Sequence, residues 1–260
     1  MNYLVFDLEF NQAWDLEEGS SRIVSSCPFE IIQIGALKLD EQLQEISGFN
    51  RLVRPELYTD LHPFVEKFTG ITSERLESAA SFSEVYGELL QFLDSESILC
   101  VWGISDIKEL LRNISYHNLD SSPVPKKYIN IQRYASGRLS CPKGTNIGLR
   151  NAVEILGISI QGSFHDAFND ALYTAEVFRC IYGNGIKPAL YQPKEGIKAR
   201  SGRVKTQLDT AALIGQFEKM YSRQMTEEEQ AIIRLAYLMG NTGQFQKESP
   251  HHISGSVLLE

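Results

Sequence analysis

The run Tyr3-Leu-Val-Phe-Asp-Leu-Glu-Phe10 constrains this chain more than any other segment. It is rich in β-formers and reads as a strand. Asp7 and Glu9 stand at i and i+2, so both side chains point to one face. Two same-face carboxylates on a strand of Leu, Val and Phe are costly to bury unpaired. They need cations or a place at an open sheet edge, and the bland alternative is a solvated strand end. The Asp-x-Glu pattern alone says little, because about one is expected by chance in this composition. Asp15-x-Glu17 and Asp94-x-Glu96 also occur, but only the first lies inside an apolar run.

The chain is long enough to bury a core around that strand without disulfides or metal staples. Its 260 residues are 43% apolar and 22% charged. This is ordinary globular composition, which excludes disorder, collagen and coiled coil as whole-chain descriptions. Lys and Arg number 25 against 33 Asp and Glu, a net charge of −8. That balance argues against nucleic-acid binding by bulk charge, though not against an enzyme with a local acidic site. Cys27, Cys100, Cys141 and Cys180 are too far apart in sequence for a zinc knuckle or a Cys-x-x-Cys pair. The first apolar run has no basic flank and stops at Asp7, and no uncharged apolar stretch approaches the roughly 18 residues of a membrane span. These features predict a cytoplasmic protein with reduced thiols and no membrane segment.

Patterning then orders the elements. Asn11 to Ser26 is polar and acidic and reads as a long loop. Glu30–Leu39 is a second strand and Ile46–Val53 a third, antiparallel across a turn at Asp40-Glu41-Gln42. Phe64, Val65 and Phe68 fit a short helix that Gly70 ends. Ser81-Phe-Ser-Glu84 is a capping box ahead of Val85, Leu89, Leu90 and Leu93. Ser97–Trp102 is a buried parallel strand, and Ser105 can cap the following helix. Tyr128–Ile131 is a further strand candidate. Helices over Leu149–Leu156 and Asp166–Tyr182 stop at Gly157 and Gly183.

Strands first, then alternation, predicts an α/β protein with a mixed sheet flanked by helices. The core domain spans residues 1–183. Residues 184–207 form a basic linker, with Lys187, Lys194, Lys198, Arg200, Arg203 and Lys205 set against Glu195; a solvated tether is favoured there over a phosphate-tracking role. Residues 208–240 form a small helical C-terminal extension whose second helix opens with the capping box Thr226-Glu-Glu-Glu229. Residues 241–260 read as a flexible tail.

Three more residues complete the chemistry. Asp106 opens a helix just after the strand ending at Trp102. Alone it is an acid complementing a helix dipole, but the carboxyl ends of parallel strands are where α/β sheets hold ligands. His165 and Asp170 make a His-x4-Asp pair opening the long helix, a pattern expected about 0.2 times by chance. Asp166 between them reads as a helix-terminus acid.

In order, Asp7-Leu-Glu-Phe10, Glu30-Ile-Ile-Gln-Ile-Gly35, Phe68-Thr-Gly-Ile-Thr72, Trp102-Gly-Ile-Ser-Asp106 and His165-Asp-Ala-Phe-Asn-Asp170 resemble the DEDDh family of 3′–5′ exonucleases. That family includes RNase T and polymerase proofreading subunits. Within it the chain is most similar to the branch of histone-mRNA and small-RNA exonucleases and bacterial KapD-type proteins. The resemblance covers roughly residues 1–183. It implies an RNase H-like, five-stranded mixed sheet. It also implies two divalent cations, Mg²⁺ or Mn²⁺, held by oxygen ligands. Asp7 would bridge them, Glu9 and Asp170 would complete the nucleophile side, and Asp106 would hold the other. His165 would deprotonate the attacking water, a task suited to an imidazole.

The implied substrate is the 3′ end of single-stranded RNA or DNA, with RNA favoured and nucleoside 5′-monophosphates as products. The positions matching the nucleotide pocket are Phe10, Asn11, Phe68, Thr69 and Ile71, with Asn11 standing where relatives often carry Thr. Phe68 is equally a stacking platform or a core residue, and Trp102 is core. The C-terminal extension matches nothing and leaves room for a protein partner or a further nucleic-acid contact. The alternative function is a catalytically silent nuclease-fold binding module acting through its C-terminal helices, against which the intact five-residue set argues.

Overall fold

The computed structural model describes residues 2–13, 26–94, 96–142, 145–183, 185–192, 210–221 and 223–241. The strands are β1 (Tyr3–Gln12), β2 (Phe29–Leu39), β3 (Glu45–Arg54), β4 (Ala80–Ser81), β5 (Ile98–Val101), β6 (Lys127–Asn130) and β7 (Ala189–Leu190). They form one sheet in the order β4-β3-β2-β1-β5-β6-β7. β1 lies at its centre, antiparallel to β2 and parallel to β5. Five of these strands correspond to the expected sheet. The other two, β4 beside β3 and β7 beside β6, are two residues long and carry no hydrophobic period to read.

The apolar run of β1 reflects cover on both sheet faces. Tyr3 and Val5 join one buried cluster with α5 (Ile131–Arg138), α6 (Leu149–Ile155) and α7 (Ala167–Ile181). Leu4, Phe6 and Leu8 join the other with α3 (Phe82–Phe92) and α4 (Ser105–Tyr116). Asp7 and Glu9 therefore continue the Tyr3–Val5 face, on the α7 side.

Two residues of β2 decide where α7 begins. Gly35 pairs with Asp7 across the sheet. A Cβ on Gly35 would stand 2.2 Å from both the Ala167 carbonyl carbon and the Phe168 nitrogen. Only a residue without a side chain lets the helix start approach that closely. Gln33 then holds it in place. Its Oε1 accepts from the Ala167 N–H at 3.1 Å, and its Nε2 donates to Asp166 at 3.0 Å and to Asn50 at 3.1 Å. The polar end of β1 thus faces the first turn of α7.

Elsewhere the local chemistry follows the sequence, with some differences. Ser81 and Glu84 form the capping box of α3. Gly70 ends α1 (Pro63–Thr69) at φ 70°, and α2 (Ser73–Glu77) follows. Asp166 is the N-cap of α7, accepting from the Asn169 N–H at 3.0 Å. Ser105, expected as a cap, is instead the first residue of α4; Ile104 precedes it and makes no side-chain cap bond. The strand expected through Ile131 ends at Asn130, whose side chain caps α5. α5 itself was not legible, because its buried residues include the small Ala135 and Ser136 and it holds Gly137. Residues Asn11 and Gln12, expected in a loop, finish β1.

The chain divides into two compact units, residues 1–202 and 203–260. Residues 185–192, inside the stretch expected as a linker, belong to the first: β7 pairs with β6, and the Tyr191 N–H bonds the Lys126 carbonyl at 2.7 Å. Residues 14–25, most of the basic stretch and nearly all of the tail lie outside the described residues. The second unit contains α8 (Thr210–Tyr221) and α9 (Glu227–Asn241). The Thr226–Glu229 capping box is present, with reciprocal bonds at 3.3 and 3.0 Å. Among the described residues no helix is long and apolar enough to cross a membrane, and all four cysteines are free.

Gly35→Ala is expected to destabilise the protein by about 1–3 kcal/mol, the usual range for overpacking against a backbone that cannot yield. A urea titration reads the loss directly, and an unchanged midpoint would contradict the close approach.

Candidate active site

Four acids and one histidine converge at the end of β1. Asp7 and Glu9 come from the strand. A shift in the β1–β2 register between Glu9 and Phe10 then re-aims the residues beyond. Asp106 comes from the first turn of α4, after a turn in which Gly103 takes φ 110°. Asp170 comes from the first turn of α7. His165 stands just before that helix at φ 64°, a left-handed conformation that costs a non-glycine residue energy. The strain is offset locally: the His165 N–H donates to Asp170 Oδ2 at 3.1 Å. The Tyr173 hydroxyl also pins the approach, accepting from the Gly162 N–H and donating to the Gly162 carbonyl.

The ligand atoms of Glu9, His165 and Asp170 lie within 4.8 Å of one another. Asp170 Oδ1 is buried and makes no hydrogen bond among the described residues. Burial, then the charges of Asp106, Glu9 and Asp170, push the Asp7 carboxyl well above its ordinary range. Burial, followed by Asp170, Asp106 and Asp166, raises Glu9 to about 8. Asp106 is pushed up to about 7, mainly by burial. Asp170 rises to about 6 for the same reason, held back by the His165 N–H and Arg150. His165 moves the other way: burial and the Arg150 charge lower it, which keeps the imidazole neutral.

Buried and half-buried carboxylates clustered in this way call for an external cation. The donor set is carboxylate oxygens with one imidazole, which suits a hard or borderline divalent ion rather than a thiolate metal. The orphaned Asp170 oxygen is a ligand atom without a protein use. These residues therefore fit a divalent-metal centre.

An aromatic surface adjoins the cluster. Phe68 is 49% exposed, and its ring centre lies 3.8 Å from that of His165. Phe64 stacks behind it at 5.1 Å. Of the two readings open for Phe68, the structure gives the exposed surface rather than the core. Phe10 is half-buried, its ring edge-on to Phe29 at 6.2 Å.

The other pocket positions do different work. The Asn11 side chain is fully buried. Its amide donates to the carbonyls of Tyr58 at 2.7 Å and Asp60 at 3.0 Å, and its oxygen accepts from the His62 N–H at 3.0 Å. It clamps the segment leading into α1, so the side chain expected at the nucleotide is turned inward and bonded within the protein. Ile71 is 2% exposed and packs with Ile32, Leu61, Val65 and Leu76, so its side chain is core. The Thr69 hydroxyl donates to the Val65 carbonyl and accepts from the Ile71 N–H, securing the end of α1. Trp102 is half-buried against the α7-side core, as expected.

Three positioning residues lie in the Glu30–Gly35 segment that carries part of the resemblance, although the sequence assigns none of them a role. For Gln33 and Gly35 the available signal is a Gln and a Gly interrupting an apolar run. Glu30 opens the same segment. Its carboxylate accepts from the backbone N–H groups of Glu56, Leu57 and Tyr58, fixing the segment that Asn11 also holds.

Residues 4–178 match the family model described as exonuclease, RNase T. The chain is 28% identical over 200 residues to the probable 3′–5′ exonuclease KapD of Bacillus subtilis, covering 74% of this chain and 88% of that protein. It is 26% identical over 157 residues to human 3′–5′ exoribonuclease 1, covering 57% of this chain and 45% of the relative; it thus spans less than half of that relative's length. The fold is similar to the crystallographic structure of the nuclease domain of 3′hExo, a DEDDh family member bound to rAMP. The TM-score there is 0.60 at 24% identity, over 74% of this chain and 96% of that one.

The raised carboxyls set a pH dependence. Groups whose folded pKa exceeds the unfolded value near 4 bind protons more tightly when folded, so stability is lost as pH rises. With Asp170, Asp106 and Glu9 at about 6, 7 and 8, the metal-free protein loses stability between about pH 4 and pH 8. The lowered His165 acts oppositely, losing stability as pH falls below its ordinary value. With four raised acids, Asp7 included, against His165, the melting temperature in chelator falls from pH 5 to pH 8, and falls less in Glu9→Gln. A flat or rising melting temperature in both proteins would contradict the clustering.

Proposed function

Because the chain belongs to the RNase T exonuclease family, we propose that it is a divalent-metal-dependent 3′–5′ exonuclease. It acts on the 3′ end of single-stranded nucleic acid, RNA in preference to DNA, and releases nucleoside 5′-monophosphates. The observation that carries this reading is the convergence of Asp7, Glu9, Asp106 and Asp170 with His165, with Asp170 Oδ1 buried and without a hydrogen bond among the described residues. A binding module without turnover has no use for such a costly cluster.

Asp7, Glu9, Asp106 and Asp170 would hold the divalent ions, Mg²⁺ or Mn²⁺, with Asp7 shared between them, Glu9 and Asp170 on the nucleophile side and Asp106 on the other; bound there, the ions would supply charge neutralisation, water activation and stabilisation of the leaving oxygen. His165, kept neutral, accepts the proton of the attacking water at a ring nitrogen. Its left-handed backbone and its N–H bond to Asp170 fix the direction in which the ring is presented.

Phe68 offers an exposed face on which a terminal base stacks without regard to its identity. Phe10, half-buried at the end of β1, is the strand residue we assign to the nucleotide, on the strength of the family resemblance. The RNA preference draws on the name of the human exoribonuclease relative, and contacts to the 2′-OH would supply it. The four free cysteines fit a reducing compartment such as the cytoplasm. The family match stops at residue 178, so a protein partner or a further nucleic-acid contact is to be sought in residues 203–260.

A 5′-labelled single strand incubated with Mg²⁺ or Mn²⁺ should shorten stepwise from its 3′ end and stop shortening in chelator. Asp7→Asn, Asp170→Asn and His165→Ala should each lower kcat by about 10²–10⁴ while the protein stays folded. Retained cleavage in Asp7→Asn, internal cuts or 5′ trimming would overturn the reading. Phe68→Ala should mainly raise KM, by about 5- to 100-fold, the range of one lost base–aromatic stack.

A further inference from the structure

One cation acts on the carboxylate cluster, and it makes no ion pair among the described residues. Arg150 stands in the first turn of α6 and is exposed. Its guanidinium lies over the Phe164 ring, 4.4 Å from the ring centre. Phe164 is itself buried, with its ring 4.7 Å from that of Tyr173 on α7. It is also the chain neighbour of His165. A guanidinium stacked on a fixed ring is held in place rather than left to swing through solvent. The stack therefore fixes the Arg150 charge over the residue that precedes His165, within electrostatic range of both His165 and Asp170.

With the Asp170 carboxylate within range of its charge, an ion pair is the ordinary fate of such an arginine. Arg150 makes none among the described residues, neither with the cluster nor with Glu154 one helical turn on. Its planar donor fork is free, and that fork matches the paired oxygens of a phosphate. On the exonuclease reading, the anion that must come within reach of His165 is the phosphodiester under attack, because His165 serves the water that attacks it.

We propose that Arg150 binds a non-bridging oxygen of the scissile phosphodiester, approaching from the His165 side of the cleft. The site would then have two walls for the terminal nucleotide: Phe68 for the base and Arg150 for the phosphate. The assignment rests on the exonuclease reading for the identity of the anion, and its test is separable from that reading.

The test measures binding, not turnover. Wild type, Arg150→Ala and Arg150→Lys, as the full chain in Ca²⁺, are titrated by fluorescence anisotropy against three 5′-labelled single strands. One is unmodified, one has its last linkage replaced by a neutral methylphosphonate, and one has only the preceding linkage replaced. Arg150→Ala should weaken binding of the unmodified strand about tenfold, the loss of one charge-assisted phosphate contact. Arg150→Lys should recover part of that loss. The Arg150→Ala deficit should vanish on the strand neutral at its last linkage and persist on the other modified strand. The salt dependence of binding should also flatten by about one unit of slope. Equal binding of wild type and Arg150→Ala to the unmodified strand would overturn the assignment. So would a deficit of the same size on all three strands, or one that vanishes only when the preceding linkage is neutral. Failure of wild type to trim the unmodified strand in Mg²⁺ or Mn²⁺ would count against the exonuclease reading alone, and the binding comparison would still decide Arg150.

Discussion

The approach of α7 to β2 at Gly35 is the constraint on which the rest of this structure depends. A helix start can touch a strand backbone only where no Cβ intervenes, and here the space left for one is 2.2 Å. That contact decides which residue of β1 is the last to be covered by the helix. Tyr3 and Val5 are covered and apolar; Asp7, paired with Gly35, is where cover ends and the carboxylates begin. Gln33 adds direction to closeness, holding both Asp166 and the Ala167 N–H. The first turn of α7 is thereby set in translation by a glycine and in rotation by a glutamine, and Asp170 and His165 inherit both settings.

The site is built from competing costs. Burial raises every acid in the cluster, and neighbouring carboxylates push Asp7, Glu9 and Asp106 further, so the protein alone is electrostatically frustrated there. His165 adds backbone strain through its left-handed conformation. Asp170 answers both costs at once: one oxygen holds the His165 N–H and the other is left open. A single carboxylate thus couples the orientation of the imidazole to the place where a cation is required. Local instability of this kind is tolerable only within a large, well-covered core, which the two apolar clusters on either face of β1 provide.

Much of this was legible in the sequence because its signals are local. Asp7 and Glu9 share a face by strand geometry, the capping boxes at Ser81 and Thr226 announce their helices, and Gly70 and Gly157 end theirs with positive φ. What was not legible depends on distant partners. Asn11 adjoins the acids in sequence, yet its amide is consumed by Tyr58, Asp60 and His62, some fifty residues away. Ile71 sits in a stretch resembling a nucleotide pocket, yet its side chain faces Ile32 and Leu76. Phe68, three residues earlier, is presented to His165 instead, because the end of α1 turns sharply at Gly70. Which of these neighbouring side chains faces His165 is set by the chain's path through that turn, which the types of Phe68, Thr69 and Ile71 do not reveal.

The two-residue strand β7 has a consequence out of proportion to its length. It covers Lys127 and Tyr128 on the outer side of β6, and Tyr191 just beyond packs edge-on against Tyr128 with ring centres 6.2 Å apart. A fragment cut after residue 183, where the helical pattern ends, would leave β6 as a bare edge and uncover an aromatic ring beside it. Exposed edges of that kind recruit strands from other molecules. The segment after α7 thus acts as a selvedge that keeps the sheet from unravelling into its neighbours, and the natural place to divide the chain lies beyond Tyr191.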